Sequence, residues 1–390
     1  MSEPGKIGTA CRTAAALLAL IVLAGCWDRQ ELNDRALWLA TGIDDAGEGN
    51  IKVSGQIVVP LNVQAPSSAG SGGKGDPYMV VSQTGTNLGD ILQDIQSKLP
   101  REVFFGQRRV IFLGEELAKK GLAGILDFTT RLAEASFRTD MYIMKGATAN
   151  DALQMRGTLE FVSVFSALKK HEQSGGRGET TYLDFLIAAH RDGIVPTLPA
   201  AQLFVSDDMK PANYFEITGV AVLDDDLKLA GYLNVDEDRD LLWLLNKLSR
   251  IILTVDLEGG NASARFVNLR SSIKPSRNKD GSWHFEITLR GDGSLAENNT
   301  GLTVEEKAEL RKLEQAFEKE AANRMAGTIR KAQETFGLDV FGFGVVVHRR
   351  HPREWPALKD RWNEEFRRAT FSVRADLNLK RPGLTGKSII

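Results

Sequence analysis

Cysteine is nearly absent: the 390 residues hold two, Cys11 and Cys26, both near the start. No disulfide framework and no cluster of thiolate metal ligands can be built downstream of Cys26. Surplus charge is missing as well, with 49 Lys and Arg against 51 Asp and Glu. Without a long run of like charge, nothing can track a phosphate backbone, and nucleic acid is excluded as a partner class. Beyond residue 25 no apolar run approaches the roughly 18 residues that would cross a bilayer. Chemical signatures are equally scarce. Gly386-Lys387-Ser388 resembles the end of a phosphate loop, but Arg381 stands where that motif needs glycine. Gly342-Phe343-Gly344 lacks the third glycine of a dinucleotide fingerprint. His348 and His351 flank two arginines and have no third ligand nearby, so no metal site is expected. Neither a nucleophile elbow nor a His-Glu-x-x-His pair is present, and the acidic runs Asp224–Asp226 and Asp236–Asp240 fit turns and helix caps. These absences predict a protein that is not an enzyme and carries no cofactor or metal.

What the sequence does have is concentrated at its start. Lys6 and Arg12 precede an apolar stretch that closes on Leu23-Ala24-Gly25-Cys26, the layout of an export signal ending in a lipobox. As a helix, Thr13 to Gly25 would span roughly 20 Å against about 30 Å of hydrocarbon, too short for a transmembrane anchor. A signal cleaved before Cys26, with a diacylglyceryl group on the Cys26 thiol, fits better. Removing Lys6, Arg12 and Glu3 with that signal leaves 47 basic and 50 acidic side chains. The mature body is then a tethered mass outside the cytoplasmic membrane.

Along the chain, helix and strand patterns alternate, and the fold class expected is α+β. Three mixed α/β units are expected after the signal of residues 1–25: an N-terminal domain of 26–200, a middle domain of 201–298 and a C-terminal domain of 299–390. The first opens with a hairpin over Ala36–Val59 and includes a Gly- and Ser-rich loop at Gln64–Asp76. Strands at Tyr78–Gln83, Val110–Leu113 and Met141–Met144 follow, with helices on Leu88–Leu99, Glu115–Leu132, Asp151–Met155, Phe161–His171 and Thr181–Arg191. The second opens after Pro196 and Pro199, with strands Tyr214–Leu223 and Lys228–Leu233 and a helix capped by Asn234 and Glu237. Strands at Ile251–Leu257, Ala264–Ser271 and Trp283–Leu289 complete it. The third begins with a capping box of Thr303 and Glu306, from which Leu310, Leu313, Phe317, Ala321, Met325, Ile329, Ala332 and Phe336 recur at helical spacing. A strand at Gly344–His348, a helix bearing Trp355, Leu358, Trp362 and Phe366, and a strand from Phe371 to Leu379 end the reading.

Several separated blocks carry a resemblance. Cys26-Trp27-Asp28-x-x-Glu31-Leu32-Asn33 after the lipobox, Gly42-Ile43-Asp44, Phe105-Gly106-Gln107, Gly114-Glu115-Glu116-Leu117-Ala118, Gly219-Val220-Ala221-Val222 and Gly231-Tyr232-Leu233-Asn234 are similar to the spore-germination receptor C subunits, the Ger(x)C lipoprotein family. The C-terminal run is the most specific: Lys331-Ala332-Gln333, Asp339-Val340-Phe341-Gly342-Phe343-Gly344, Pro352–Trp355 and Trp362-Asn363-Glu364-Glu365-Phe366. Gln107 and Val345 depart from the pattern, where many members have His and an acidic residue. The resemblance implies a non-catalytic C subunit of a nutrient germinant receptor. It would be anchored by lipid on Cys26 to the outer face of the inner spore membrane, working with a membrane A subunit and a polytopic B subunit. Trp27, Glu31 and Leu32, beside the lipid, are the candidate partner contacts. A solute-binding lipoprotein of a membrane transporter is the alternative reading.

Overall fold

The computed structural model describes residues 35–58, 78–131, 136–155, 181–205 and 213–381. The expected signal, lipobox, Gln64–Asp76 loop and Phe161–His171 helix lie outside them.

The first sheet grows from a hairpin. β1 (Arg35–Gly47) and β2 (Asn50–Val58) turn at the expected glycine-rich corner, and β3 (Tyr78–Gly85) adds to β2. On the other side of β1 lie β5 (Val110–Gly114), β6 (Asp140–Met144), β7 (Thr197–Val205), β8 (Asn213–Leu223) and β9 (Leu229–Leu233), in that order. A short β4 (Glu102–Phe104) pairs with the first residues of β1. The centre from β1 to β7 is parallel and both flanks are antiparallel. Every residue of β5 is buried, which is why it reads as an unbroken apolar run: a parallel strand has helices on both faces. Ile111 and Leu113 face a core built from α1 (Leu88–Ser97), α2 (Glu115–Lys120), α3 (Ala123–Arg131) and α5 (Tyr182–Ala189), while Val110 and Phe112 face α4 (Ala149–Gln154). The single helix expected over Glu115–Leu132 is two, because Gly121 adopts φ +115° and breaks it.

The second sheet has the order β10 (Arg250–Leu257), β11 (Gly260–Arg277), β12 (Trp283–Asn298), β13 (Thr370–Arg381), with β13 parallel to β12. Across one face runs α7 (Lys307–Lys331), which buries Leu313, Phe317, Ala321, Met325 and Ile329, the stripe its spacing predicts. Its start differs from expectation. The Thr303–Glu306 capping box does not form; buried Val304 holds the preceding turn to the core, and the Thr303 amide donates instead to Glu309. A widened turn, Ala332–Phe336, ends the helix at Gly337. Between the lobes, α6 (Val235–Leu244) has the Asn234–Glu237 capping box its sequence announces.

Two further expectations need correction. Gly344–His348 is not a strand but lies within a helix, α8 (Phe343–Arg350), which buries Phe343, Val346 and Val347 at helical spacing. Short apolar runs fit either state, and here the carboxylate of Asp339 collects amides at the helix start and decides it. The Trp355–Phe366 helix is interrupted, as α9 (Trp355–Leu358) and α10 (Trp362–Arg368), although its four apolar residues are all buried as expected. As for the three units, the boundary at 200/201 falls inside β7, whose residues pair along β8 and extend the first sheet to residue 233. The boundary at 298/299 falls inside one shared core, since β13 completes the sheet that β10–β12 begin.

Candidate functional site

Cys26, Trp27, Glu31 and Leu32, the residues singled out by sequence, lie outside the described residues. What the structure fixes is where their chain enters the fold: Arg35 begins β1, and its guanidinium sits 4.3 Å over the ring of Phe104 on β4.

The sequence blocks that carry the resemblance turn out to be joints. Asp44 of Gly42-Ile43-Asp44 accepts the amides of Ala149 (2.7 Å) and Asn150 (2.9 Å) at the start of α4. Burial pushes its carboxyl up, opposed by those two hydrogen bonds. Gly114, opening the second block, runs so close that a Cβ there would lie 2.3 Å from the Asp44 carboxylate. Gln333 of Lys331-Ala332-Gln333 donates to the carbonyls of Phe366 (2.8 Å) and Ala369 (3.0 Å), tying the end of α7 to α10.

The densest joint is Asp339. Its side chain has no solvent exposure, and its oxygens accept from the amides of Phe341 (3.0 Å), Gly342 (2.9 Å) and Gly344 (2.8 Å) and from the indole of Trp362 (2.9 Å). Its own carbonyl accepts from the Val195 amide of the first lobe at 2.8 Å. Burial raises the carboxyl to about 6 against those donors. Nearby, Asp240 on α6 pairs with Arg324 (3.2 Å) and Thr328 (3.0 Å) on α7, and burial pushes it too up to about 6. Lys331 meets Glu237 at 2.7 Å, and Asn363 donates to Asp225 at 2.7 Å, joining α10 to the β8–β9 turn.

The chain from residue 190 to 196 lies between the lobes, flanked by two clefts. One, of about 390 Å³, is lined by His190, Asp192, Asp225, Lys359 and Asn363; the other, of about 360 Å³, by Arg191, Asn246, Ser271, Arg349 and Arg350. Charged and polar groups dominate both, unlike the mostly apolar walls of a small-molecule site. The buried carboxylates of Asp44, Asp240 and Asp339 are engaged by donors within the fold. No group of three metal-ligating side chains occurs among the described residues. His348 stacks on Trp355 at 5.1 Å and His351 meets Glu354 at 3.0 Å, so the two histidines serve packing and pairing. Sequence reasoning placed Asp339 in a family block without a role; a lone Asp before a Gly-rich run carries no visible sign of its four donors. Arg108 was missed altogether: it is buried, which pulls its guanidinium down to about 10, and its Nε and Nη2 have no hydrogen-bond partner among the described residues.

The class defined by this architecture is a two-lobed α+β body whose marked residues form joints within the lobes and, at Asp339 and Asn363, between them. Comparison with known proteins narrows it. A family profile described as "Spore germination protein N-terminal domain" matches residues 28–203, and one described as "Spore germination B3/ GerAC like, C-terminal" matches residues 218–383. The chain is 25% identical over 391 residues to spore germination protein KC of Bacillus subtilis (strain 168), covering 96% of each. It is 22% identical over 385 residues to spore germination protein B3 of the same strain, covering 97% of this chain and 100% of that one. The crystal structure of the GerBC protein has the same fold, with a TM-score of 0.56 at 17% identity over 87% of this chain and 97% of that one. The chain belongs to the Ger(x)C family of spore germination proteins. These relatives do not favour the solute-binding alternative.

Proposed function

We propose that this protein is the C subunit of a nutrient germinant receptor, a non-catalytic lipoprotein that acts in spore germination beside a membrane A subunit and a polytopic B subunit. The observation that carries the reading is the pair of consecutive family matches, which between them take up most of the chain in the order seen in the relatives. A diacylglyceryl group on Cys26, the residue that closes the Leu23-Ala24-Gly25-Cys26 lipobox, holds it at the outer face of the inner spore membrane. Trp27, Glu31 and Leu32, next to that lipid, meet the membrane-embedded partners. The body contributes a fixed shape, consistent with motif residues spent on joints within and between its lobes.

Replacing Cys26→Ala is expected to move the protein from the spore membrane fraction to the soluble fraction and to impair nutrient-triggered germination. Normal germination with fully soluble protein would overturn the anchoring. Tagged protein solubilised from spore membranes in mild detergent should co-purify with a polytopic transporter-like subunit and its A-type companion, identified by mass spectrometry. Recovery of an ATP-driven permease instead would overturn the receptor reading.

A further inference from the structure

One end of the first sheet is both the end where the tether arrives and an end that leaves a strip of apolar side chains in water. The Arg109 amide donates to Leu39 of β1 at 2.7 Å, and the Asp140 amide to Arg109 at 2.9 Å, so the starts of β5 and β6 lie beside the first half of β1. With strands about 4.8 Å apart, the loop before β6 is roughly 10 Å from β1. The chain leaves this end at Thr181, paired with Asp140, and re-enters it at Thr197, so α5 belongs to the same end.

α5 is apolar on both sides. Tyr182 and Phe185 are buried inward, while Leu183 and Ile187, one turn apart on the outer side, are 47% and 55% exposed. Phe137, 43% exposed and stacked on Tyr182 at 5.8 Å, extends the strip. A helix of an ordinary solvated surface would carry polar residues there. Arg109 and Arg138 are exposed beside it. The neighbouring acids are engaged: Asp184 accepts from the Thr181 hydroxyl, and Asp127 pairs with Arg131 at 2.9 Å. Glu102, next to Arg101, is also exposed at this edge. Eight residues separate Cys26 from Arg35, a span of at most about 30 Å, so a lipid on Cys26 keeps this end close to the bilayer.

We propose that Phe137, Leu183 and Ile187, rimmed by Arg109 and Arg138, form a membrane-contacting face that inserts into the headgroup region of anionic lipid and sets the body's orientation. The proposal rests on the lipid anchoring of Cys26 for the closeness of this end to the bilayer. Apolar side chains supply insertion and the arginines supply attraction to anionic headgroups, a combination that lies on a membrane without spanning it.

The test uses the lipidated protein in vesicles of phosphatidylcholine and phosphatidylglycerol at 3:1, with a nitroxide on Ile187→Cys or, as a control on the second sheet, on Ile252→Cys, a residue 57% exposed. The expected result is that the label at 187 gains oxygen contact and loses contact with an aqueous nickel complex, relative to the detergent-solubilised protein, while the label at 252 changes in neither. Equal nickel contact at both positions would overturn the face even if the lipid anchor holds. Protection at 187 that arises only when the receptor's other subunits are present would overturn it in favour of a protein partner. A second measurement removes the anchor: with Cys26→Ser, residual binding to the same vesicles should fall at least fivefold in Leu183→Ser/Ile187→Ser and weaken with salt. Cys26→Ser protein that stays on spore membranes and is released by the double substitution would sink the anchor and keep the face. Vesicle binding unchanged by the double substitution would sink the face.

Discussion

Asp339 keeps a carboxylate away from water by surrounding it with three amides and one indole N–H, a set of donors that a carboxamide, with a single acceptor oxygen, cannot satisfy. Asp339→Asn turns one acceptor into a donor facing donors, and each buried group left unpaired costs about 1–3 kcal/mol. A loss of about 3 kcal/mol in denaturant unfolding is expected, with a disordered α8 seen in hydrogen exchange. Proton linkage gives a second outcome. Burial raises Asp339 and Asp240 to about 6, above the ordinary 3.8, so between these values the folded state holds protons that the unfolded chain releases. Their contribution to stability is full below about pH 4, declines as pH rises through 6 and is constant above. Chemical denaturation across that window should show this fall, and Asp240→Asn should flatten part of it; an unchanged slope in the variant would remove Asp240 from the account.

At the scale of elements, α7 does more than cover a sheet. Glu318 and Glu314 accept the amides of Leu377 (3.3 Å) and Leu379 (3.0 Å) on β13, and Arg311 holds both carboxylates at 3.2 Å. Two donors on the outer edge of β13 are thereby occupied, which discourages pairing with another chain there. Glu314→Ala/Glu318→Ala is expected to self-associate in a concentration-dependent way, measured by light scattering, with little change in circular dichroism. The buried stripe of α7 and the alternating β13 were legible from spacing alone, because their burial patterns match their own periods, while β5 was legible as an unbroken apolar run between turn signals. Gly344–His348 was not, since three consecutive valines after a glycine fit a strand until Asp339 caps the run. β7 was hidden by Pro196 and Pro199, which read as a linker; Pro199 sits within the strand, opposite Val220 on β8. The candidate site was legible only as family blocks, because hydrogen bonds between distant residues such as Asp44 and Ala149 leave no local pattern.

For the molecule as a whole, the two lobes meet with almost no tolerance. A Cβ on Gly193, which holds φ +81°, would come within 2.6 Å of the Gly344 backbone and 2.7 Å of the Trp355 ring. Gly193→Ala should therefore prise the loop from its seat at a cost of about 1–3 kcal/mol and expose the backbone beside Arg191 to trypsin. Cleavage at Arg191 no faster than in the parent would show that the lobes accommodate the methyl group.

The parallel pairing of β12 with β13 has one more consequence, for biogenesis. Residues 299–369 lie between these partners, so β13 can pair only after that whole segment has been made. Until then β12 offers a bare edge and the second core lacks a wall, a long-range closure that folds slowly. A chain cut short by a few dozen residues would remain unfinished in its second lobe, a substrate for quality-control proteases rather than a weakened copy of the full protein.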